Sequence, residues 1–281
     1  LATSMFQMGT SVGNMIAPPL VAFCILYWGW QSAFVVTGAL SLVWAFGWLW
    51  GYRTPALHPR LGEAERALIE AGRAADEVAD KPATRRAVLS SRGFWAIAVP
   101  RFLAEPAWQT FNFFIPLYLV AAWKLDLASI ALWAWLPFLA ADFGSLAAGL
   151  LPGWLQRRGA GLIASRKITM TVGAALMAGP ACIGLAGSPG VAIALFCVGG
   201  FAHQMLNGTL ITLGSDVFDS RTVGTATGMA GTIAWTGGMA FTFLIGKSAD
   251  AYGYDPLFVA LAGLDLLGAA VLWLLLRGRR A

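Results

Sequence analysis

Charge is what this sequence has least of. Asp, Glu, Lys and Arg make up 12% of its 281 residues, about half the share in a soluble domain. That deficit excludes an ordinary water-exposed enzyme or binding domain. Cysteine is equally sparse: Cys24, Cys182 and Cys197 are scattered through apolar runs, which makes neither a disulfide framework nor a zinc spacing. There are two histidines, His58 in a charged stretch and His203 in an apolar one, with no acidic or cysteine partner at ligand spacing, so no metal centre is expected. No H-E-x-x-H or serine–histidine pairing is present. The G-x-S-x-G at Gly9–Gly13 lies in an apolar helix, not at the strand-to-helix turn a hydrolase needs. It reads instead as a small-residue packing face, with Thr10 a candidate substrate contact. No enzyme activity and no cofactor are expected.

What is abundant is apolar sequence: 58% of residues are hydrophobic and mean hydropathy is +0.68. Eight apolar segments stand at 4–28, 32–52, 94–122, 128–154, 168–187, 191–213, 223–246 and 256–276, each near the length that spans a bilayer. An all-α integral membrane protein is the expected class. The one long connection, 53–92, is charged, with an amphipathic surface helix over 61–79. The net charge of +5 does not point to nucleic acid, because the basic residues stand in loops and at helix ends. Sixteen of the nineteen Lys and Arg residues fall on the side of the long loop. The positive-inside rule then places that loop, the 155–167 turn and both ends of the chain in the cytoplasm.

The richest segment runs from Gly93 to Trp123. It carries Arg101, Glu105, Trp108, Gln109 and Asn112, and is interrupted by Pro100, Pro106 and Pro116. At helical spacing these polar residues share one face. Ionisable residues inside a membrane helix face a bundle interior or a watery cavity, so this face is read as a cavity wall. Arg101 and Glu105, four apart, are close enough to pair. Further along, His203, Gln204, Asn207, Thr209 and Thr212 decorate the sixth apolar segment. The amides and hydroxyls suit sugar hydroxyls, whereas His203 is read as hydrogen-bonded between helices. Asp142 is read as structural, and Asp265 as intramembrane. Asp216, Asp219 and Arg221 border a short turn opposite Arg157, Arg158, Arg166 and Lys167, a candidate cytoplasmic gate.

An internal repeat sets the architecture. GWQSAFVVTGALSLVWAFGWLW at 29–50 aligns with GYDPLFVALAGLDLLGAAVLWL at 253–274, keeping Gly29/Gly253, Phe34/Phe258 and Val35/Val259 in register. The copies are six segments apart in the same orientation, the internal symmetry of the major facilitator fold. The expectation is that these eight segments are helices five to twelve of twelve. Residues 1–52 would then close an N-terminal bundle, 53–92 would be a cytoplasmic linker, and 93–281 would be the C-terminal six-helix bundle.

The stretches GWQSAFVVTGALSLVWAFGWLW, RFLAEPAW, LWAWLPFLAADFGSLAAG, AHQ and SDVFDSRTVGTATGMAG resemble the anion:cation symporter family of the major facilitator superfamily, and within it the bacterial hexuronate and related sugar-acid transporters. The resemblance implies a multi-pass protein of the bacterial inner membrane, monomeric at full length. It would take up a sugar-acid anion with protons by alternating access. On that reading Arg101, Trp108, Gln109, Asn112, Gln204, Asn207, Thr209 and Thr10 are substrate contacts and Glu105 carries the coupled proton. Asp216, Arg221, Arg157 and Arg158 form the gate. A non-transporting sensor with the same fold is the alternative, with an intramembrane enzyme behind it.

Overall fold

The computed structural model describes residues 2–78 and 84–276. Lys81, Arg277, Arg279 and Arg280, four of the charges used to orient the chain, lie outside the described residues. Every regular element described is helical. In chain order these are α1 (Ala2–Trp28), α2 (Trp30–Gly51), a 3-10 turn (Pro55–Leu57), α3 (Glu63–Val78), α4 (Arg85–Ser90), α5 (Arg92–Trp123), α6 (Leu127–Trp133), α7 (Leu136–Arg157), α8 (Leu162–Leu176), α9 (Ala178–Ala181), a second 3-10 turn (Ile183–Leu185), α10 (Pro189–Val217), α11 (Val223–Tyr252) and α12 (Asp255–Leu275). The chain divides into two compact units, one of residues 16–82 and one of residues 1–15 with 83–281.

In the smaller unit, α1 turns into α2 at Gly29, whose φ of 83° is open to glycine but disfavoured for other residues. The Ser32 hydroxyl sits across the turn, within hydrogen-bond distance of the Gly29 and Cys24 carbonyls at 2.6 and 3.0 Å. The large apolar side chains of α2, among them Val43, Phe46 and Leu49, point outward, as a lipid-facing helix requires. Glu63 and Glu65 occupy the first turn of α3, where negative charge complements the helix dipole. The other copy of the repeat, in the larger unit, opens in the same way: Gly253 has φ 78° between α11 and α12.

The larger unit is a bundle in which α5 packs against α10, α11 and α12, while α10 packs against α7 and α8. Helix ends are set by local chemistry. Ser91 caps α5, accepting from the Phe94 amide at 3.1 Å, and Asp126 caps α6, accepting from Ser129 at 2.9 Å. Two expected single helices are interrupted. The 128–154 segment breaks between α6 and α7, and the 168–187 segment breaks after α8. A proline removes one hydrogen bond and collides with the carbonyl four residues back. Four before Pro137 is Trp133, the last residue of α6, and four before Pro180 is Leu176, the last of α8.

α5 survives three internal prolines. Pro106 frees the Phe102 carbonyl, and α11 meets it with Gly237, where a Cβ would stand 2.6 Å from that oxygen. The glycine presents a hydrogen instead, a weak C–H···O contact. α7 and α10 are brought backbone to backbone by the same device, at Gly144 against the Phe201 carbonyl and Gly200 against the Pro137 carbonyl. Two apolar clusters hold the bundle. Phe94 to Ala104 of α5 join one, with Met170, Leu206, Leu210 and Leu272. Ala107 to Leu119 join the other, with Phe196 and Phe258. Polar residues of α5 mark the junction.

Among the described residues, six helical segments are long and apolar enough to cross a membrane by length and composition: α2, α7, α8 through the second 3-10 turn, α10, α11 and α12. α5 has the length, at 32 residues, but its polar face dilutes its hydropathy.

Candidate functional site

α5 presents its polar residues to two different neighbours. Glu105 and Gln109 are buried, 8% and 6% exposed, against α11, where the Cγ atoms of both lie within 3.1 Å of the place a Gly238 Cβ would take. Gln109 Nε2 donates to Glu105 Oε1 at 3.1 Å. One turn earlier, the guanidinium of Arg101 approaches Gly231 of α11. It lines a cavity of about 10 Å³ with Phe94, Ile97, Leu210, Gly214 and Thr227, room for about one water. Arg101 is half-buried.

The expected Arg101–Glu105 ion pair is not formed. Glu105 takes its hydrogen bond from Gln109 on its own helix, and Arg101 Nε is buried with no hydrogen-bond partner. Spacing of four allowed the pair, but the approach of α11 at Gly238 steers the carboxylate towards Gln109. The two charges still act on each other electrostatically, without a contact ion pair.

Trp108 turns the other way. Its indole stacks on the His203 imidazole of α10, with centroids 5.3 Å apart and planes 14° apart, and meets Phe138 of α7 edge-on at 5.8 Å. His203 is 1% exposed and neither ring nitrogen has a hydrogen-bond partner among the described residues, which corrects the expectation of an interhelical hydrogen bond. Asn112 Nδ2 donates to the Trp108 carbonyl at 2.8 Å, leaving its side-chain oxygen as an acceptor. On α10, Asn207 Nδ2 donates to Gln204 Oε1 at 3.4 Å. Thr209 is fully enclosed and donates to the Met205 carbonyl at 2.7 Å, so its hydroxyl is committed to its own helix. Thr10 is exposed on α1. Asp265 is 1% exposed with neither carboxylate oxygen bonded.

At the bundle end the charges are arranged differently from the expected gate. Asp216 pairs with Arg166 of α8, Nε to Oδ2 at 2.7 Å, not with Arg157 or Arg158. Those two are exposed, and Arg158 lies over the Trp154 ring at 4.2 Å. Arg221 is half-buried in the turn, where Asp219 Oδ1 accepts from the Thr222 amide at 2.8 Å. Hydrogen bonds from Thr222 hold the Asp219 carboxyl below the usual range.

Residues 1–165 match the Major Facilitator Superfamily. The chain belongs to that superfamily. It is 47% identical to the hexuronate transporter of Escherichia coli (strain K12) over its whole length, which covers 66% of that relative. It is 47% identical to the galacturonate transporter of Dickeya chrysanthemi over 69% of this chain and 57% of the relative. The probable L-galactonate transporter of E. coli (strain K12) is 32% identical over 60% of this chain. The chain thus spans about two thirds or less of these relatives, all named as transporters. The residues whose positions against α5 sequence reading missed are Gly237 and Gly238, and Arg166, named among four basic residues opposite Asp216, was passed over for Arg157 and Arg158. The Gly-Gly pair in α11 was visible, but its role required knowing which helix it meets.

Proposed function

We propose that this chain carries the C-terminal substrate half of a secondary transporter for a sugar-acid anion, coupled to protons and working by alternating access. What supports the reading most is Arg101, whose buried Nε has no hydrogen-bond partner among the described residues and on which the Glu105 charge acts without a contact ion pair. Arginine recognises carboxylates in a planar, bidentate way. In this proposal Gln109 and Asn112, further along α5, and Gln204 on α10 take the sugar hydroxyls, and the Trp108 ring, stacked on His203, packs against the sugar ring. Glu105 is the proton carrier in this proposal. Residues 1–52 close an N-terminal bundle, 53–92 link the bundles on the cytoplasmic side, both ends of the chain are cytoplasmic, and the full-length protein is a monomer. The Arg166–Asp216 pair, with Arg221, takes the gate role first given to Arg157 and Arg158.

The test uses the full-length reading frame, with galacturonate binding and unfolding measured on the same preparations. Truncating one member of a buried charge–ligand contact costs about 2 kcal/mol or more, roughly 30-fold in affinity. Arg101→Ala should lose at least that for galacturonate and about 1 kcal/mol or less in stability, because it breaks no contact ion pair. Arg101→Lys should recover part of the binding. Were Arg101 a structural ion-pair member, its removal would instead destabilise by about 3–5 kcal/mol. Unchanged binding in Arg101→Ala rules the proposal out.

A further inference from the structure

Where α2 leaves its apolar run, the chain folds back through the Pro55–Leu57 turn and forms an open surface cavity of about 450 Å³. Its lining is Trp50, Gly51, Arg53, His58, Pro59 and Arg60. Three of the six are cationic or able to become so, and none is acidic. Glu63 and Glu65, a few residues on, belong to the first turn of α3 and stay out of the lining.

The donors are partly committed, and the commitment orients them. Arg53 Nη1 donates to the Tyr52 carbonyl at 2.9 Å and the Leu49 carbonyl at 3.5 Å. It thereby caps the end of α2, while the rest of its planar fork remains available. The Arg60 amide donates to His58 Nδ1 at 3.3 Å, so a neutral imidazole carries its proton on Nε2. Two guanidinium groups and an imidazole N–H are thus gathered at one short turn without a counter-ion in the lining.

Depth identifies the ligand. Arg53 stands two residues beyond Gly51, the end of a 22-residue apolar helix, at most about 7 Å further along extended chain. Just before it runs an aromatic ladder. Trp44 and Trp48 lie 5.1 Å apart, Trp48 and Tyr52 stack at 4.5 Å, and Trp50 is 84% exposed. Such aromatic residues mark the membrane–water interface, where lipid phosphates lie. Leu57, on the folded-back turn, is 72% exposed and offers an apolar contact beside the cations.

We propose that this cavity binds the headgroup phosphate of an anionic membrane phospholipid, held by Arg53 and Arg60, with Trp50 at the acyl boundary. The site lies wholly within residues 16–82 and is separate from Arg101, so it stands or falls independently of the transported substrate. A soluble phosphate would find the same cations, and the experiment separates the two sources.

The purified chain in detergent is titrated with phosphatidylglycerol, phosphatidylcholine or inorganic phosphate, and bound lipid is counted by native mass spectrometry. Near a membrane surface each basic residue contributes about fivefold to anionic-lipid affinity. Arg53→Ala/Arg60→Ala should therefore lose about 25-fold for phosphatidylglycerol, with phosphatidylcholine binding unchanged. Arg85→Ala/Arg86→Ala, which removes the same charge from the exposed α4, should lose far less. Arg53→Lys/Arg60→Lys keeps the charge and should retain most binding, and circular dichroism of each variant confirms the fold. Equal losses in the two alanine pairs would mean diffuse electrostatics and overturn the site. So would equal retention of the two lipids. Displacement of phosphatidylglycerol by equimolar inorganic phosphate would reassign the cavity to a soluble anion.

Discussion

Replacing Gly238 by alanine should damage transport more than folding, and replacing neighbouring Gly237 should do the reverse. A Cβ on Gly238 would stand 2.9 Å from Glu105 Cγ and 3.1 Å from Gln109 Cγ. Carbon atoms rest about 3.5–4.0 Å apart, so both side chains must retreat by roughly 0.5–1 Å. They are tied by a hydrogen bond of 3.1 Å, which such a retreat strains or breaks. Because side chains can turn aside, the folding cost should sit near the low end of the overpacking range, about 1 kcal/mol. Misplacing functional groups by about 1 Å can cost roughly 100-fold in rate. At Gly237 the obstruction is the Phe102 carbonyl at 2.6 Å. Backbone cannot turn aside, so α5 and α11 must part, at about 3 kcal/mol. The assays are galacturonate uptake against external pH by cells carrying the full-length reading frame, and thermal unfolding of the purified variants. Gly238→Ala should cut uptake 10- to 100-fold and change its pH profile with a small loss of stability. Gly237→Ala should lower the amount of folded protein while the surviving molecules keep the normal pH profile and apparent KM. Wild-type uptake and pH profile in Gly238→Ala would refute the view that α11 positions the Glu105–Gln109 pair for transport.

Two further outcomes follow from the charges at the bundle end. Arg166 and Asp216, each 15% exposed, should show a coupling of about 1–2 kcal/mol in a double-mutant cycle with Arg166→Gln and Asp216→Asn, read by chemical unfolding; additive losses would show the pair to be idle. The Asp219 carboxyl is held low by hydrogen bonds from Thr222, so its contribution is present above its unfolded pKa and disappears as pH falls through the folded value. Asp219→Asn should flatten the acid side of the stability–pH curve, and an unchanged acid side would count against that linkage.

Much of this protein could be read from residue order. Apolar length marked the membrane segments, and Gly29 and Gly253 announced matching turns that do adopt the same positive φ. The breaks after Trp133 and Leu176 were also legible, since Pro137 and Pro180 each stand four residues on; reading apolar length alone ran through them. The polar face of α5 was visible because helical periodicity is a local property of the chain.

Periodicity says which residues share a face, but not what that face meets. Glu105 was placed beside Arg101 by spacing, yet Gly238 on α11 brings it onto Gln109, a partner about two turns away from the expected one, decided by a helix more than 100 residues away in sequence. Asp216 had four basic residues within plausible reach, and the packing of α8 on α10 selected Arg166. Trp108 found His203 only once α5 packed on α10. The sequence by itself determined which side chains would have to be kept from lipid. The tertiary structure decided their partners, because hydrogen bonds and ion pairs depend on separations of a few tenths of an ångström, which are set when helices dock.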